Sequence, residues 1–413
     1  MNKLLLGSLA VVIAALLWSL DGTFLRPQLF SLPSTLVVFL EHTLGLIALL
    51  PFLIIYRAQL KTINKKQWIT IFWVALFGGA LGTVFMTKAL FLTGFKDISV
   101  VILLQKFQPI FAIVLAGIFL HERFPKRFYW YALLAVVGGY FTTFKDPMAI
   151  SSIPKATITI AAFSLLAAFA WGSSTTFGKY SLKNIHYGLL AALRFGLTVL
   201  ILAIPALYYF SGQLPAVTGK QWGTLVTIVF TSGALAMWLY YYGLKKIPAS
   251  IATLCELAWP VSAVIMDYYF NHNVLAASQI AGALILIFAV YKAAALNRPH
   301  VISGTVIMGD GQGSKIGTRT ANLHTAHAGG LIKGIYTCSA QLPEGAFSGL
   351  LFYGYNSLAK KDTLEIHLLN YNGDLYNKQI TVTTDKFLRL PKTFSSTEDL
   401  IDQIKKDLAE AVA

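Results

Sequence analysis

Cysteine is nearly absent from this sequence: Cys255 and Cys338 are the only two in 413 residues. Two thiols so far apart exclude a disulfide framework and a cysteine-based metal cage. Charge is scarce too. Asp, Glu, Lys and Arg make up 12% of the chain and hydrophobic residues 56%, whereas soluble domains carry roughly a quarter charged residues. With a mean hydropathy of +0.64, an ordinary soluble protein is excluded and an integral membrane protein is indicated. Acidic residues are the scarcer sign, 18 against 33 basic, for a net charge of +15. The surplus is uneven: 21 Lys/Arg face 7 Asp/Glu before Asn297, and 12 face 11 after it. Basic residues confined to short loops between apolar runs fit membrane orientation and argue against a nucleic-acid partner. The first twenty residues hold one lysine and an apolar run. Trp18, Ser19, Leu20 and Asp21 offer no small-residue cleavage pattern, so an uncleaved first span is expected.

A bilayer core needs about 20 apolar residues per helix. Runs of that length lie near 4–23, 34–56, 68–91, 98–120, 128–144, 156–178, 187–210, 222–244, 250–270 and 276–296. Prolines such as Pro27, Pro33, Pro125, Pro147, Pro154, Pro215 and Pro248 punctuate the turns. With the N-terminus placed in the cytoplasm, fourteen Lys/Arg fall on inner segments and five (Arg26, Lys96, Lys145, Lys155, Lys220) on outer loops. This positive-inside bias, with an even number of spans, predicts cytoplasmic N- and C-termini in a plasma (inner) membrane.

The apolar part repeats itself. Trp18 in ALLWSLDGTF recurs as Trp171 in AFAWGSSTTF, Gly78 in GGALGTVFMTKAL recurs as Ser232 in SGALAMWLYYYGL, and Pro109 recurs as Pro260, at offsets of 153, 154 and 151 residues. The unit is five spans, about 4–144 and 156–296. Because five is odd, the second copy enters from the opposite face, an inverted repeat of the kind that rocks around a midplane site. These features, with His121, Glu122 and Arg123 after the fourth run, resemble the drug/metabolite transporter superfamily in its ten-helix form. The resemblance implies transport of a small metabolite and names no cargo.

Ionisable residues inside spans cost about 2.5–3.5 kcal/mol on insertion scales and usually face the bundle interior. Asp21, Glu41, His42, Lys88, Lys106, Arg194, Glu256 and Asp267 are such residues. Glu41 and Lys106 lie at matched depth from the outer face, and Arg194 and Glu256 at matched depth from the inner face. Each pair reads either as a pathway pair that binds substrate or exchanges during gating, or as a permanent helix-to-helix ion pair. Trp18, Trp171, Phe107, Trp259 and Tyr240–Tyr242 read either as stacking platforms for a flat substrate or as packing and interfacial belt.

Beyond Asn297 the period changes. Ile302–Met308, Gly334–Gln341, Phe347–Tyr353, Thr363–Asn370 and Gln379–Phe387 alternate with period two, predicting a small antiparallel barrel or sandwich over 298–413. A closing helix is predicted from the capping box Ser395–Glu398 to about Val412. The segment GDGQGSKIGTRTANL at 309–323 is a glycine-rich loop whose backbone donors and Lys315 suit phosphates.

TRTANL, then TLEIHLLNYNGDLYN at 363–377 and FLRLPKTFSSTEDLI at 387–401 closely resemble riboflavin kinase. That resemblance implies a six-stranded barrel that phosphorylates riboflavin to FMN with ATP and Mg²⁺. It implies Thr320 and Asn322 as Mg²⁺ ligands, Glu365 as the catalytic carboxylate, Gly309, Gly311, Gly313 and Lys315 as the nucleotide loop, and Arg389 as an arginine near the flavin. Arg319 stands where the family usually has a proline before Thr-Ala-Asn, and proline would fix φ and preorganise that turn. The expectation for the whole chain is riboflavin uptake coupled to phosphorylation, with riboflavin, ATP and the bilayer as partners. The alternative is a transporter of another metabolite regulated by an inactive flavin- or nucleotide-binding tail.

Overall fold

The computed structural model describes residues 3–94, 101, 104–105, 107–120, 122, 124–143, 157–259, 261–262, 265–266, 276–296, 300–308, 319–325, 331–356, 361–392, 394 and 396–412. The chain divides into two compact units, residues 1–122 with 131–292, and 293–413 with 123–130. Lys106, Pro260, Asp267 and the loop residues Gly309, Gly311, Gly313 and Lys315 lie outside the described residues.

The first unit is helical. Among the described residues, six helical stretches are long and apolar enough to cross a membrane: Leu4–Leu29, Ser34–Ile55, Lys65–Leu92, Ile158–Ser181, Tyr187–Ala216 and Gly219–Lys246, and shorter apolar helices lie at Gln108–Phe119 and Ala277–Ala293. Their outward faces carry exposed Ile54, Ile55, Leu200 and Ile204, a surface suited to acyl chains rather than water.

Helix α1 (Lys3–Leu20) does not stop at its aspartate. It continues through a π-helical turn, Asp21–Leu25, and a 3-10 turn, Arg26–Leu29. Pro27 sits in the first turn of that 3-10 segment. The expected outer-loop position of Arg26 is therefore wrong, because the span carries it inward and buries it.

Helix α2 (Ser34–Ile55) is followed by α3 (Lys65–Trp73), which passes through a π-helical segment, Val74–Leu81, into α4 (Gly82–Leu92). Then come α5 (Gln108–Phe119), α6 (Lys126–Thr143), α7 (Thr157–Ser181) and α8 (Tyr187–Phe210). Helices α9 (Gly219–Phe230), α10 (Ala234–Lys246), α11 (Ala249–Cys255) and α12 (Ala277–Ala295) follow among the described residues.

Two helix starts are built alike. At α3, Asn64 and Gln67 form a reciprocal capping box (2.9 and 3.1 Å), and at α9, Thr218 and Gln221 do the same (3.3 and 2.9 Å). Each box contains the tripeptide Lys-Gln-Trp, at Lys66–Trp68 and at Lys220–Trp222. Packing pairs α1 with α10, and α7 with α4 and the π-segment before it, while α2 lies on α8 and α5 on α11. The Glu122 carboxylate accepts from the backbone N–H of Ala249 (2.7 Å) and Ser250 (3.0 Å), satisfying donors at the start of α11.

The second unit centres on a closed antiparallel barrel in the order β1-β2-β5-β4-β3-β6. The strands are β1 (Val301–Ile307), β2 (Ala321–His324), β3 (Gly334–Leu342), β4 (Gly345–Asn356), β5 (Lys361–Leu368) and β6 (Gln379–Arg389). Closure leaves no exposed edge. Alternation fills the interior with Ile302, Val306, Leu323, Leu351, Leu364, Ile366 and Val382. Strand β2 is one more than period-two counting finds, because four residues are too few to show a period. Helix α13 (Thr397–Val412) starts one residue later than expected: Ser396 Oγ accepts from the Asp399 N–H at 3.1 Å, and Ser395 lies outside the described residues. Burial pushes the Cys338 thiol up to about 12, so it stays protonated and unreactive in the core.

Candidate functional site

In the barrel, β2 beside β5 sets Asn322 directly opposite Glu365. Leu323, Leu364 and Ile366 point into the core. By alternation, Thr320, Asn322, Thr363, Glu365 and His367 share the outward face. Thr363 Oγ donates to Glu365 Oε1 at 3.0 Å and Thr320 Oγ to Oε2 at 3.4 Å. The three residues singled out from sequence, Thr320, Asn322 and Glu365, thus converge.

Oxygen-only donors of this kind, two neutral and one anionic, suit a hard divalent cation that shares its shell with phosphates. No cluster of three or more His, Cys, Asp or Glu is present among the described residues. A cation here would meet the Thr320 hydroxyl, the Asn322 amide oxygen and the single Glu365 carboxylate.

Sequence reading missed His367. Its ring Nδ1 lies 2.7 Å from the Arg319 carbonyl. A carbonyl can only accept, so Nδ1 carries the proton and the ring clamps the turn that presents Thr320. His367→Ala is expected to lower FMN formation about tenfold through a rise in the KM for metal–ATP, a consequence of misplacing Thr320. Steady-state kinetics at varied metal–ATP checks this.

Arg389 is placed elsewhere. Its guanidinium meets the Asp407 carboxylate through three contacts of 2.7–3.0 Å and donates to the Leu390 carbonyl at 3.3 Å, with both ionic side chains 7% exposed. Its partners lie on α13 and in the adjacent chain, not among Thr320, Asn322 and Glu365. Asp407→Ala leaves a buried guanidinium without its anion. It should destabilise the barrel unit by about 3–5 kcal/mol, read as a lowered temperature of kinase inactivation in the full chain.

The helical unit encloses a cavity of about 190 Å³. Trp18 and Tyr240 line it, their rings 5.3 Å apart, and so do Trp171 and Trp259. Glu41, Arg194 and Glu256 all line it as well. Of the two expected pairings, Glu41 with Lys106 lies outside the described residues, and Arg194 with Glu256 is not formed. Glu41 pairs with Arg26 at 3.2 Å, and the same guanidinium holds Asp21 at 2.5 Å and Thr87 at 2.9 Å. Glu256 accepts from Tyr240 (2.8 Å) and Gln108 (2.5 Å) rather than from Arg194.

Arg194 instead donates to the Gly78 carbonyl at 2.5 Å and to the Tyr241 hydroxyl at 3.2 Å. The Gly78 carbonyl also accepts from Trp171 Nε1 (3.1 Å) and Thr83 Oγ (3.3 Å). A π-segment departs from the i→i−4 ladder, which is how one carbonyl gathers so many side-chain donors. Glycine is required there: a Cβ on Gly78 would strike Ser174, and one on Gly79 would strike Thr198. Arg26 escaped sequence reading because Pro27 looked like a loop residue.

The fold and sites define a polytopic carrier joined to a flavokinase-type barrel. The chain belongs to the EamA-like transporter family, matched over residues 5–144 and 158–293. Residues 296–413 match the riboflavin kinase family, so a flavokinase domain forms the C-terminal part. The riboflavin transporter ImpX of Fusobacterium nucleatum is 40% identical over 301 residues, 72% of this chain and 100% of that protein. The bifunctional riboflavin kinase/FMN adenylyltransferase of Pseudomonas fluorescens is 33% identical over 121 residues, covering 29% of this chain and 39% of that protein. The Escherichia coli K12 protein of the same name is 34% identical over 115 residues, 37% of its length. A solved structure described only as a crystal structure of a protein covers 72% of this chain with a TM-score of 0.56 at 15% identity, a likeness of fold alone.

Proposed function

We propose that the helical part, residues 1–297, carries riboflavin inward and that the barrel, residues 298–413, phosphorylates it to FMN with ATP and Mg²⁺. The observation that carries this reading is the join itself: a riboflavin transporter relative aligned over its whole length, followed on one chain by a flavokinase domain. Ten spans in two inverted halves fit the twin capping boxes and the crosswise packing of α1 on α10 and of α7 on α4. Moving Arg26 into the first span leaves four outer basic residues against fourteen inner ones, which supports cytoplasmic termini.

Within the barrel, Thr320 and Asn322 would hold the metal–nucleotide oxygens, and Gly309, Gly311, Gly313 and Lys315 would receive the phosphates. Bound metal–ATP supplies the phosphoryl group and screens its charge. Glu365, oriented by Thr363 and Thr320, accepts the proton of the ribityl hydroxyl. The His367 clamp on Arg319 favours an active domain over a regulatory relic. In the carrier, Glu41, Arg194 and Glu256 line the pathway, and Lys106 is its fourth proposed member. FMN carries about two negative charges at neutral pH, so phosphorylation traps neutral riboflavin that has entered. Tethering places the kinase at an effective concentration of roughly millimolar order.

The test uses a riboflavin auxotroph without other importers, supplied with labelled riboflavin. The chain should restore growth at low external riboflavin, with label accumulating as FMN. Uptake no greater than in the empty-vector strain overturns the transport half. Uptake without FMN formation by the purified full chain overturns the kinase half.

A further inference from the structure

Three carboxylates line the cavity of the helical unit, those of Asp21, Glu41 and Glu256, together with the guanidiniums of Arg26 and Arg194. Arg26 holds both Asp21 and Glu41. Arg194 spends its terminal nitrogens on the Gly78 carbonyl, the Tyr241 hydroxyl and Met237 Sδ. Among the described residues Glu256 meets no cation and is held by neutral groups alone. Gln108 Nε2 donates to its Oε2, and the Tyr240 hydroxyl donates to Oε1 at 2.8 Å. Thr175 Oγ lies 2.6 Å from that hydroxyl and 3.5 Å from Oε1.

An amide, a phenol and a hydroxyl can each turn from donor to acceptor, whereas a guanidinium can only donate. The Glu256 network therefore stays bonded in two arrangements. Without a proton the carboxylate accepts from its neighbours, and with one on Oε1 it donates to Tyr240 or Thr175 as the hydroxyls reverse. The Arg26 cluster has no second arrangement of this kind. Glu256 is also partly exposed, while Asp21 and Glu41 are buried.

Helix α11, which Glu256 follows, packs against α1, α5, α7 and α10. Besides Tyr240, α10 presents Tyr241, which is bonded to Arg194. On α7 the ammonium of Lys179 donates to the Leu244 and Lys245 carbonyls. The only charged residue of α1 is Lys3 at its start, and α5 has none, while Lys106 before it lies outside the described residues. At the start of α11 Glu122 is spent on two backbone N–H groups, and its neighbour Cys255 is buried. Also lining the cavity, His42 gives Nδ1–H to the Val38 carbonyl at 2.9 Å.

We propose that Glu256 is the proton-coupling site of the carrier: it takes up a proton from outside and releases it inside as each riboflavin enters. The inference rests on inward transport of riboflavin. A neutral solute gains nothing from the membrane potential by itself, so its accumulation ahead of phosphorylation requires an ion that moves with it, and carboxylates inside spans serve as proton relays. The proposed repeat adds a second argument. Counting back from Pro260 and from Pro109, the position matching Glu256 is Gln105, which lines the same cavity. One half thus presents an acid where the other presents its permanently neutral analogue, giving one proton site per carrier.

The test uses proteoliposomes holding the full chain without ATP, with potassium and valinomycin clamping the membrane potential at zero. With the outside one pH unit more acid than the lumen, labelled riboflavin should accumulate at least about threefold above its equilibrium level, where full coupling to one proton allows about tenfold. A protonophore should abolish the excess. Whatever counterflow Glu256→Gln retains, its accumulation should stand at the equilibrium level at every gradient. Glu256→Asp keeps the carboxyl and should keep the gradient response, with a displaced pH profile, a rescue that a purely structural role would not produce.

Wild-type entry that never exceeds equilibrium, or gradient-driven accumulation that persists in Glu256→Gln, overturns the coupling role while leaving riboflavin transport standing. Loss of counterflow in both variants assigns Glu256 to binding alone and overturns it too. Absence of any riboflavin movement through the wild type overturns the transport reading and this inference with it.

Discussion

Glu365→Gln abolishes FMN formation, by about 10²–10⁴-fold, and leaves the initial rate of riboflavin entry within about twofold of the wild type. The first number is the usual worth of a positioned general base. Gln keeps the size and hydrogen-bonding capacity that Thr363 and Thr320 meet at 3.0 and 3.4 Å, so the barrel should stay folded and the loss should lie in kcat. The second number follows from organisation: the carboxylate belongs to one compact unit and the cavity to the other. Steady-state kinetics of the purified full chain and short-time uptake into ATP-free vesicles measure the two separately. A Gln variant that keeps more than a tenth of the wild-type kcat removes Glu365 from the chemistry. A variant that also halts short-time entry ties the two activities more tightly than capture of the product requires.

Arg26→Met should unfold or inactivate the carrier. Its guanidinium is the only cation among the described residues in ion-pair contact with Asp21 and Glu41, and all three side chains are no more than 11% exposed. Removing one partner of a buried pair costs about 3–5 kcal/mol because the survivor is left charged in a medium that solvates it poorly. Here two carboxylates survive. Loss of thermal stability in detergent and at least a tenfold fall in uptake are expected.

The triple variant Arg26→Met, Asp21→Asn, Glu41→Gln separates fold from function, since it removes all three charges together. It should regain most of the stability and none of the transport. If the single variant keeps its melting temperature, the cluster is solvated and the burial argument fails.

The pattern of the chain made its two-part organisation legible, because the change from long apolar runs to period-two alternation needs no tertiary information. The convergence of Thr320, Asn322 and Glu365 was legible for the same local reason: Thr320 and Asn322 sit two apart where the chain enters a short strand, and the stretch around Glu365 is distinctive. The cavity was only half legible. Glu41, Arg194 and Glu256 were visible as charges in apolar runs, but depth along a helix does not give azimuth, so their partners could not be read. Glu41 took Arg26, a residue read as belonging to an outer loop, and Arg194 took a carbonyl that only a π-segment sets free. Arg389 shows the opposite limit. Its place in a familiar stretch marked it as an arginine near the flavin, but its ion pair with Asp407, eighteen residues further on in a helix, came only with the fold. No local signal marks such a pairing.

The two thiols, one sealed in the barrel core and the other 2% exposed in α11, leave the molecule almost silent toward alkylating reagents. Engineers of such carriers ordinarily strip native cysteines before placing reporter groups. Here that step has largely been done by the sequence, so a single cysteine at Lys66 or at its counterpart Lys220 would report, by its access to an impermeant maleimide, which side of the bilayer each half faces.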